Sequence, residues 1–447
     1  MKRLEVWMGR TAAGALVQAN DGRLTFTYDS DYASTPNRTP LSLSMPLTVE
    51  RHQGRVVLPF LQGLLPDNVE VLGRWGRQFG VSPRNPFGLL AHVGADCAGA
   101  IQFLPEGREP DTGDIQWLTD DDVAARLRLL RQNPTAWLGE DAHGHFSLAG
   151  AQSKFALLRQ GDRWGEPTGA IPTTHILKPA GPFEMQDLNE YLCLRTAAAL
   201  GVLTAHCEYR TFVDEVALVV QRYDRRPADA PEGVRRIHQE DFCQALAVHP
   251  DRKYQSQGGP GPAAMVELLR RSVAPSVADG DIVRVVEALA LNWALGATDG
   301  HAKNHSLLLS GRQVRLAPLY DIASALPYAT APPGAGRRGR MELGRLALAL
   351  KVGRHYALRD IDRRDWEILA QTASVDPDVV RSVVTTVLDQ VVDAMAGVVT
   401  ATSAEGVGAP ERAFVSRLLD AVGKHVDLCR SAMRGHAVGS LRHRPER

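Results

Sequence analysis

Neither sign of charge predominates in this chain of 447 residues. It carries 51 lysines and arginines against 51 aspartates and glutamates, so its formal net charge is zero. A broad footprint on nucleic acid or on a membrane surface needs an excess of basic residues. We therefore expect no such footprint, and the balance of charge leaves room only for local patches.

Cysteines and long apolar runs are also scarce. The five cysteines have no metal-ligand spacing, and an odd number without a framework favours reduced thiols in a cytoplasmic protein. They are Cys97, Cys193, Cys207, Cys243 and Cys429. Residues 1–6 lack the apolar core of a signal peptide. The longest apolar run, residues 283–297, is interrupted by charged residues, so we predict no membrane segment.

The order of strand-like and helix-like patterns predicts three regions and a tail. Alternating apolar residues at Leu24–Tyr28 are typical of a strand, and a stretch rich in proline, glycine and charge at 105–114 predicts a linker. A strand pair at 306–316 is the one interruption that we expect in the last, helical region. The predicted regions are a β-rich N-terminal subdomain at 1–104, strands and a helix at 119–235, a helical lobe at 236–435 and a basic tail at 436–447.

One short loop carries most of the chemical information. Asp299 is followed five positions later by Asn304, which is the spacing of a protein-kinase catalytic loop. In such a loop the aspartate accepts the proton of the attacking hydroxyl and the asparagine binds Mg²⁺. The alternative is structural: residues 298–300 could simply end the preceding helix, and Asn304 could cap a turn.

Downstream, Asp321 follows a second apolar segment and offers another carboxylate for the same metal ion. Lys303 could offset charge on the transferred phosphoryl group, and His301 lies between the two ends of the loop. A second interpretation places Asp299, His301, His305 and Asp321 around a different metal ion. We rank it lower because zinc hydrolases usually have histidines at helical spacing.

Upstream, Lys178 ends a short strand at 174–178 and could pair with nucleotide phosphates. Pro179 follows it and should limit pairing there. Glu190, on a predicted helix at 187–200, could orient the lysine, although both residues could equally lie on solvated surfaces.

Two further segments could contact a nucleotide. Residues 147–154 are small enough for backbone N–H groups to approach phosphates, but Gly150 is the only glycine, so this is not a G-x-G-x-x-G loop. Gln221 and Tyr223 follow an apolar strand, at the position where a two-lobed kinase contacts the adenine edge. A flexible turn and a plain strand end are the structural alternatives.

Other short motifs accompany these segments in a fixed order. They are Leu-Leu-Pro-Asp-Asn at 64–68, the loop at 147–154, His-Ile-Leu-Lys-Pro at 175–179, Asn-Glu at 189–190, Gln-Arg-Tyr-Asp-Arg at 221–225, His-Gln-Glu-Asp-Phe-Cys-Gln at 238–244, Lys-Tyr at 253–254, Gly-Gly-Pro at 258–260 and Leu-Tyr-Asp at 319–321. Together they resemble the HipA-type serine/threonine kinases, the toxin half of a bacterial toxin–antitoxin pair. The resemblance implies an α+β, two-lobed kinase-like fold with a small β-rich N-terminal subdomain and a mostly helical C-terminal lobe.

The resemblance also implies roles for individual residues. Asp299 would be the catalytic aspartate, assisted by Lys303 and His301, and Asn304 and Asp321 would bind Mg²⁺. Ser147 would be autophosphorylated, which ejects the phosphate loop and silences the kinase. The ATP-binding set would be Ser147, Ala149, Gly150, Ala151, Gln152, Lys154, Lys178, Glu190, Gln221 and Tyr223.

Partners follow from the same resemblance. Relatives phosphorylate aminoacyl-tRNA synthetases, bind the helix-turn-helix antitoxin HipB, and contact operator DNA mainly through it. Position 221 is Gln where relatives often carry an acid, and the chain lacks H-R-D, D-F-G and A-P-E segments. Two other functions stay open, a weakly active co-repressor and a kinase of small molecules or lipids.

Overall fold

The computed structural model describes residues 1–138, 146–228, 233–329, 342–404 and 409–435. The predicted basic tail at 436–447 lies outside the described residues.

The N-terminal region is an antiparallel sheet covered by helices. Its strands follow the order β4-β3-β2-β1-β5, and β5 pairs with β1 so that Pro105 lies opposite Leu4. Leu24, Phe26 and Tyr28 alternate inwards along β3, as the sequence pattern predicts. The elements are β1 (Lys2–Met8), β2 (Thr11–Gln18), β3 (Leu24–Tyr28), α1 (Ser30–Ser34), β4 (Arg51–Gln53), α2 (Gly54–Gly63), α3 (Val69–Phe79), α4 (Pro86–Val93) and β5 (Ile101–Pro105).

The middle region contains a six-stranded sheet with the order β10-β11-β9-β7-β8-β6. Lys178 lies on the central strand β9, opposite Leu218 of β11, and Pro179 still forms the last pair of that ladder, with Ala217. The elements are β6 (Ile115–Leu118), α5 (Asp120–Gln132), β7 (Phe155–Gln160), β8 (Arg163–Pro167), β9 (His175–Pro179), α6 (Gln186–Ala199), β10 (Cys207–Phe212), β11 (Glu215–Gln221), β12 (Arg225–Pro227) and β13 (Val234–Arg236).

The last region is mostly helical, but it contains more strands than the sequence predicts. The strand pair at 306–316 gains a third strand, β14, and β17 and β18 form a separate hairpin. β14 escaped prediction because its sequence, His-Gln-Glu-Asp, has no apolar alternation. The elements are β14 (His238–Asp241), α7 (Phe242–Ala245), α8 (Pro262–Ser272), α9 (Pro275–Leu295), β15 (Ser306–Ser310), β16 (Gln313–Leu316), α10 (Leu326–Ala329), β17 (Ala347–Val352), β18 (His355–Ala357), α11 (Arg363–Thr372), α12 (Pro377–Ala404) and α13 (Ala409–Met433).

Helix α12 corrects the expectation that no stretch of the chain is long and apolar enough to cross a membrane. Among the described residues it holds the one stretch, Pro377–Thr402, that is long and apolar enough to cross a membrane by length and composition. Scattered charges such as Asp389 and Asp393 divide it into short runs, which is why it was missed. In this fold α12 packs on α6 and α9 with Val384 and Val391 fully buried. A single helix of this kind is weak evidence for a membrane span, and 28% of its most apolar window is buried inside the protein.

The middle sheet separates two hydrophobic cores. Along β11, Val219 belongs to the core shared with the N-terminal region, whereas Leu218 and Val220 belong to the core of the helical lobe. The same alternation on β9 sends Leu177 towards the N-terminal side, so Lys178 faces the opposite way, towards α6 and the helical lobe. This two-lobed α+β arrangement is the one that the sequence predicts, and it places a cleft beside Lys178.

Candidate active site

A cavity of about 830 Å³ lies where the middle sheet meets the helical lobe. Nearly every residue that the sequence nominates lines it, although they come from widely separated parts of the chain. The nominated lining residues are Ala149, Gly150, Ala151, Gln152, Lys154, Lys178, Glu190, Gln221, Tyr223, Asp299, His301, Lys303, Asn304 and Asp321. Ser147 and His305 are the exceptions, because both are buried and neither lines the cavity.

Lys178 is held between two carboxylates. Its Nζ donates to Glu190 Oε1 at 2.7 Å and to Asp321 Oδ1 at 2.8 Å, so the pairing of Lys178 with Glu190 that the sequence suggested is present. Burial by itself would lower the pKa of Lys178, but the two carboxylates raise it above its ordinary value. Burial raises the pKa of Glu190 to about 7. Lys178 therefore stays charged inside the cleft.

Asp321 occupies a constrained position after β16. Its φ of +59° lies in the left-handed region, which is costly for an aspartate and is typical of functional sites. The following turn is tied to α6, since Ser324 N donates to Asn189 Oδ1 at 3.0 Å and Asn189 Nδ2 donates to Ser324 O at 2.8 Å. Burial opposes ionisation of Asp321, but Lys178 and Lys154 outweigh it and hold its pKa well below the usual range.

Asp299 lies just beyond the buried helix α9. That helix ends at Gly296, whose φ of +62° is a left-handed cap, so residues 298–300 do not serve as its terminator. Asn304 Nδ2 donates to the backbone oxygen of Asp299 at 2.7 Å and braces the loop. The Asp299 side chain is 64% exposed within the cavity. Burial and the charge of Asp321 nevertheless raise its pKa, although a hydrogen bond from the Tyr254 hydroxyl to Oδ1 and the charge of Lys253 lower it in part.

Two oxygen ligands fit a magnesium ion. The amide of Asn304 uses its nitrogen on the loop backbone, which leaves its oxygen for a cation. Only Oδ1 of Asp321 takes a hydrogen bond from the described residues, so Oδ2 has none. A carboxylate and an amide oxygen suit Mg²⁺, which also retains phosphate and water ligands.

The four-residue metal cluster that we ranked second is not assembled. Across the described ranges no group of three or more His, Cys, Asp or Glu side chains is arranged to hold a metal ion. His301 is buried, and burial lowers its pKa to about 3, so its ring is neutral. His305 is buried as well and does not line the cavity.

Three residues without an assigned role in the sequence analysis also reach the site. Asp67 binds both Lys253, at 2.7 Å, and Lys303, and Tyr254 donates to Asp299. Burial alone would raise the pKa of Asp67, but the two ammonium groups lower it to about 2. The motifs at 64–68 and 253–254 contain these residues, yet nothing local in the sequence connects them with the catalytic loop.

The loop at 147–154 folds back on itself over the cavity. Gly150 has a φ of +100°, and a Cβ there would lie 2.6 Å from Lys154 Nζ, which explains the single glycine. Lys154 Nζ donates to Ala149 O at 2.8 Å, and burial, with the nearby charge of Lys178, lowers the pKa of Lys154 to about 8. Ser147 Oγ instead donates to Leu64 O at 2.7 Å, away from the cavity.

The stretch at 221–225 connects the middle sheet to the helical lobe. Gln221 and Tyr223 line the cavity. Arg222, Asp224 and Arg225 form a buried ion-pair cluster with Asp96, and Arg222 and Asp224 also border the cavity. This cluster holds the backbone of the stretch against the N-terminal region.

Two models of known protein families match the chain. Residues 146–395 match the family model of the HipA-like C-terminal domain, and residues 4–104 match that of the HipA N-terminal domain. The chain belongs to the HipA family. Its resemblance to that family, inferred from the motifs, is thereby confirmed.

Individual relatives cover most of the chain. The Y4mE protein of Sinorhizobium fredii is 37% identical over 406 residues, which is 90% of this chain and 92% of the relative. The serine/threonine-protein kinase toxin HipA of Shewanella oneidensis is 30% identical over 341 residues, 73% of this chain and 76% of the relative. A structure of the Shewanella oneidensis HipA, HipB and operator DNA complex matches with a TM-score of 0.82 at 23% identity, covering 97% of this chain and 99% of that one. That likeness confirms the fold.

Proposed function

We propose that this HipA family member is an ATP- and magnesium-dependent protein serine/threonine kinase that acts as the toxin of a toxin–antitoxin pair. The observation that carries the proposal is the convergence on one cavity of Lys178, bound to both Glu190 and Asp321, with the loop that holds Asp299 and Asn304. Protein kinases use a lysine–glutamate pair, a metal-binding aspartate and a catalytic aspartate for phosphoryl transfer.

In the proposed reaction Asp299 orients the acceptor hydroxyl and takes its proton. The acceptor oxygen bonds to the γ-phosphorus of ATP, the bond from that phosphorus to the β–γ bridging oxygen breaks, and ADP leaves with the electron pair. The positive charges of Lys178 and Lys303 stabilise the negative charge on the phosphates. Mg²⁺, held by Asn304 and Asp321, would neutralise charge on the phosphate oxygens.

Autophosphorylation of Ser147 is part of the proposal. Its side chain is fully buried in this conformation, so the loop must leave the wall before the hydroxyl can be modified. A phosphoserine could not return to that position, because its charged oxygens would be buried against the carbonyl oxygen of Leu64, which cannot donate a hydrogen bond to them. We therefore propose that modification keeps the loop out and the kinase silent.

The proposed partners are those of the resembling proteins. We propose a HipB-like helix-turn-helix antitoxin, contact with operator DNA mainly through that antitoxin, and a cytoplasmic protein substrate such as an aminoacyl-tRNA synthetase. The net charge of zero supports indirect contact with DNA, since direct binding of a phosphate backbone needs a basic surface.

The test compares wild-type protein with Asp299→Asn in a transfer assay with radiolabelled ATP, magnesium and cell lysate. Loss of the base should reduce transfer to protein by about 10²–10⁴-fold and leave the fold intact. Asp279→Asn changes the same charge on an exposed site of α9 and should have no effect. Mass spectrometry should find phosphate on Ser147 of wild-type protein alone.

Two outcomes would contradict the proposal. Equal labelling of protein by wild type and Asp299→Asn would remove the catalytic role of the loop. Label that appears only on small molecules would identify a different kind of kinase.

A further inference from the structure

The connection between α2 and α3, residues 64–68, belongs to the N-terminal region yet touches both functional loops. At one end Leu64 O accepts from Ser147 Oγ at 2.7 Å. At the other end the backbone N–H of Asp67 donates to Gly150 O at 3.0 Å. The loop proposed to cover the phosphates is thus attached to this connection at two points.

The side chain of Asp67 continues from there to the catalytic loop. Its two oxygens bind different lysines, Oδ2 that of Lys253 at 2.7 Å and Oδ1 that of Lys303. All three side chains are largely withdrawn from solvent, with 14% of Asp67, 17% of Lys253 and 2% of Lys303 exposed. One carboxylate therefore holds two like-charged groups side by side in the cavity wall.

Lys303 depends on this carboxylate. Within the described ranges Asp67 is its one ion-pair partner, and an ammonium group that is 2% exposed is unstable without an anion. The triad keeps one net positive charge, which suits a place where phosphate is transferred. Without the carboxylate, the two lysines would repel each other and Lys303 would lose the position that it now holds.

We propose that Asp67 is a positioning residue of the kinase, contributed by the N-terminal region. It fixes Lys303 and Lys253 beside the loop at 147–154, which is proposed to cover the phosphates. This inference rests on the proposed function. It gives the N-terminal region a direct part in the reaction, because the active site is incomplete without this carboxylate.

The test measures kcat, KM for ATP and thermal stability of Asp67→Asn and Asp67→Glu. Asparagine keeps the backbone contact with Gly150 but loses the charge, so kcat should fall by about 10- to 100-fold, as expected for misplaced catalytic groups. KM for ATP should change by less than about threefold, because the lysines would act mainly on the transition state. Glutamate should restore part of kcat.

Two controls separate positioning from simple folding. Glu70→Gln removes a negative charge from an exposed site on α3 nearby and should leave all three quantities unchanged. In a Lys303→Met background, Asp67→Asn should add no further loss if the carboxylate acts through Lys303.

The outcomes also separate this inference from the proposed function. Absence of transfer by the wild-type protein would refute the kinase itself. An active wild type with a folded, equally active Asp67→Asn would refute the role of Asp67 alone. Asp67 would belong to the fold rather than to the reaction if three results came together. The loss of kcat in Asp67→Asn would parallel a loss of thermal stability, Asp67→Glu would restore none of it, and Asp67→Asn would reduce kcat in the Lys303→Met background as much as in the wild type.

Discussion

At the scale of single residues, the side chain of the proposed base accepts one hydrogen bond from the described residues outside its own loop. The Tyr254 hydroxyl donates to Asp299 Oδ1, and the ring of Tyr254 packs edge-on against that of His301 with centroids 5.0 Å apart. This hydrogen bond lowers the pKa of Asp299, whereas burial and the charge of Asp321 raise it. The net pKa is above its ordinary value, and without Tyr254 it would be higher still.

Removing that hydroxyl should therefore change the pH profile. Asp299 works as a base only when it is deprotonated, so a higher pKa means that activity is lost at a higher pH on the acid side. We expect Tyr254→Phe to move the acid limb of kcat/KM upwards by about one pH unit, equivalent to roughly 1.4 kcal/mol. Tyr32→Phe, which removes a hydroxyl outside the cavity, should leave the limb in place. An unshifted limb in Tyr254→Phe would show that this contact does not tune the base.

At the scale of elements, the stretch after β11 is held by charge rather than by apolar packing. Asp224 accepts from Arg222 Nη2 at 3.0 Å and from the backbone of Gly99 at 2.7 Å, while Arg225 Nη2 donates to Asp96 Oδ1 at 2.8 Å. Asp96 also receives bonds from Arg222 and Arg236. Breaking a buried cluster costs far more than breaking a surface pair, because the remaining charges lose their partners without regaining water.

Asp224→Asn tests that reasoning. It should lower the free energy of unfolding by about 3 kcal/mol or more, since two buried arginines keep their charge and lose a carboxylate. Asp214→Asn removes a carboxylate that is 65% exposed and bound to Arg128, so it should cost under about 1 kcal/mol. Urea unfolding of both variants measures the difference. Equal losses would mean that the cluster does not hold the stretch at 221–225.

At the scale of the whole molecule, the cavity lies between two separate cores. The middle sheet has one face in each core, and the cleft opens where Lys178 faces α6 and the helical lobe. A ligand that binds groups from both sides should stabilise the folded state, because it binds the native protein and not the unfolded chain.

A thermal-unfolding titration with a non-hydrolysable ATP analogue should show this linkage. At 100-fold excess over Kd the analogue with magnesium should add about 2.7 kcal/mol to the free energy of unfolding, and less without magnesium. Asp321→Asn should abolish the part that depends on magnesium. Asp360→Asn, an exposed change in the same lobe, should retain it. The magnesium site would be disproved if Asp321→Asn still responded to the metal as wild type does.

Much of the fold follows from patterns that span only a few residues. Thr119 begins α5 through a local hydrogen bond of its side chain, and Gly201 follows the end of α6 with a positive φ. The alternation in Leu24–Tyr28 is sufficient to predict β3. The spacing of Asp299 and Asn304 is equally local, since the asparagine braces the backbone of its own loop. By contrast, β14 has no such pattern, because its pairing with β15 rests on a partner far along the chain.

The sequence by itself determined which side chains could carry phosphoryl transfer and the order in which they occur. Only the tertiary structure decided which of them meet. Lys178 binds Asp321 across 143 positions of the chain, and Asp67 binds Lys303 across 236. Periodicity and spacing describe neighbours within one turn or strand, whereas these pairs form because two cores pack against one sheet and bring their loops to the same edge.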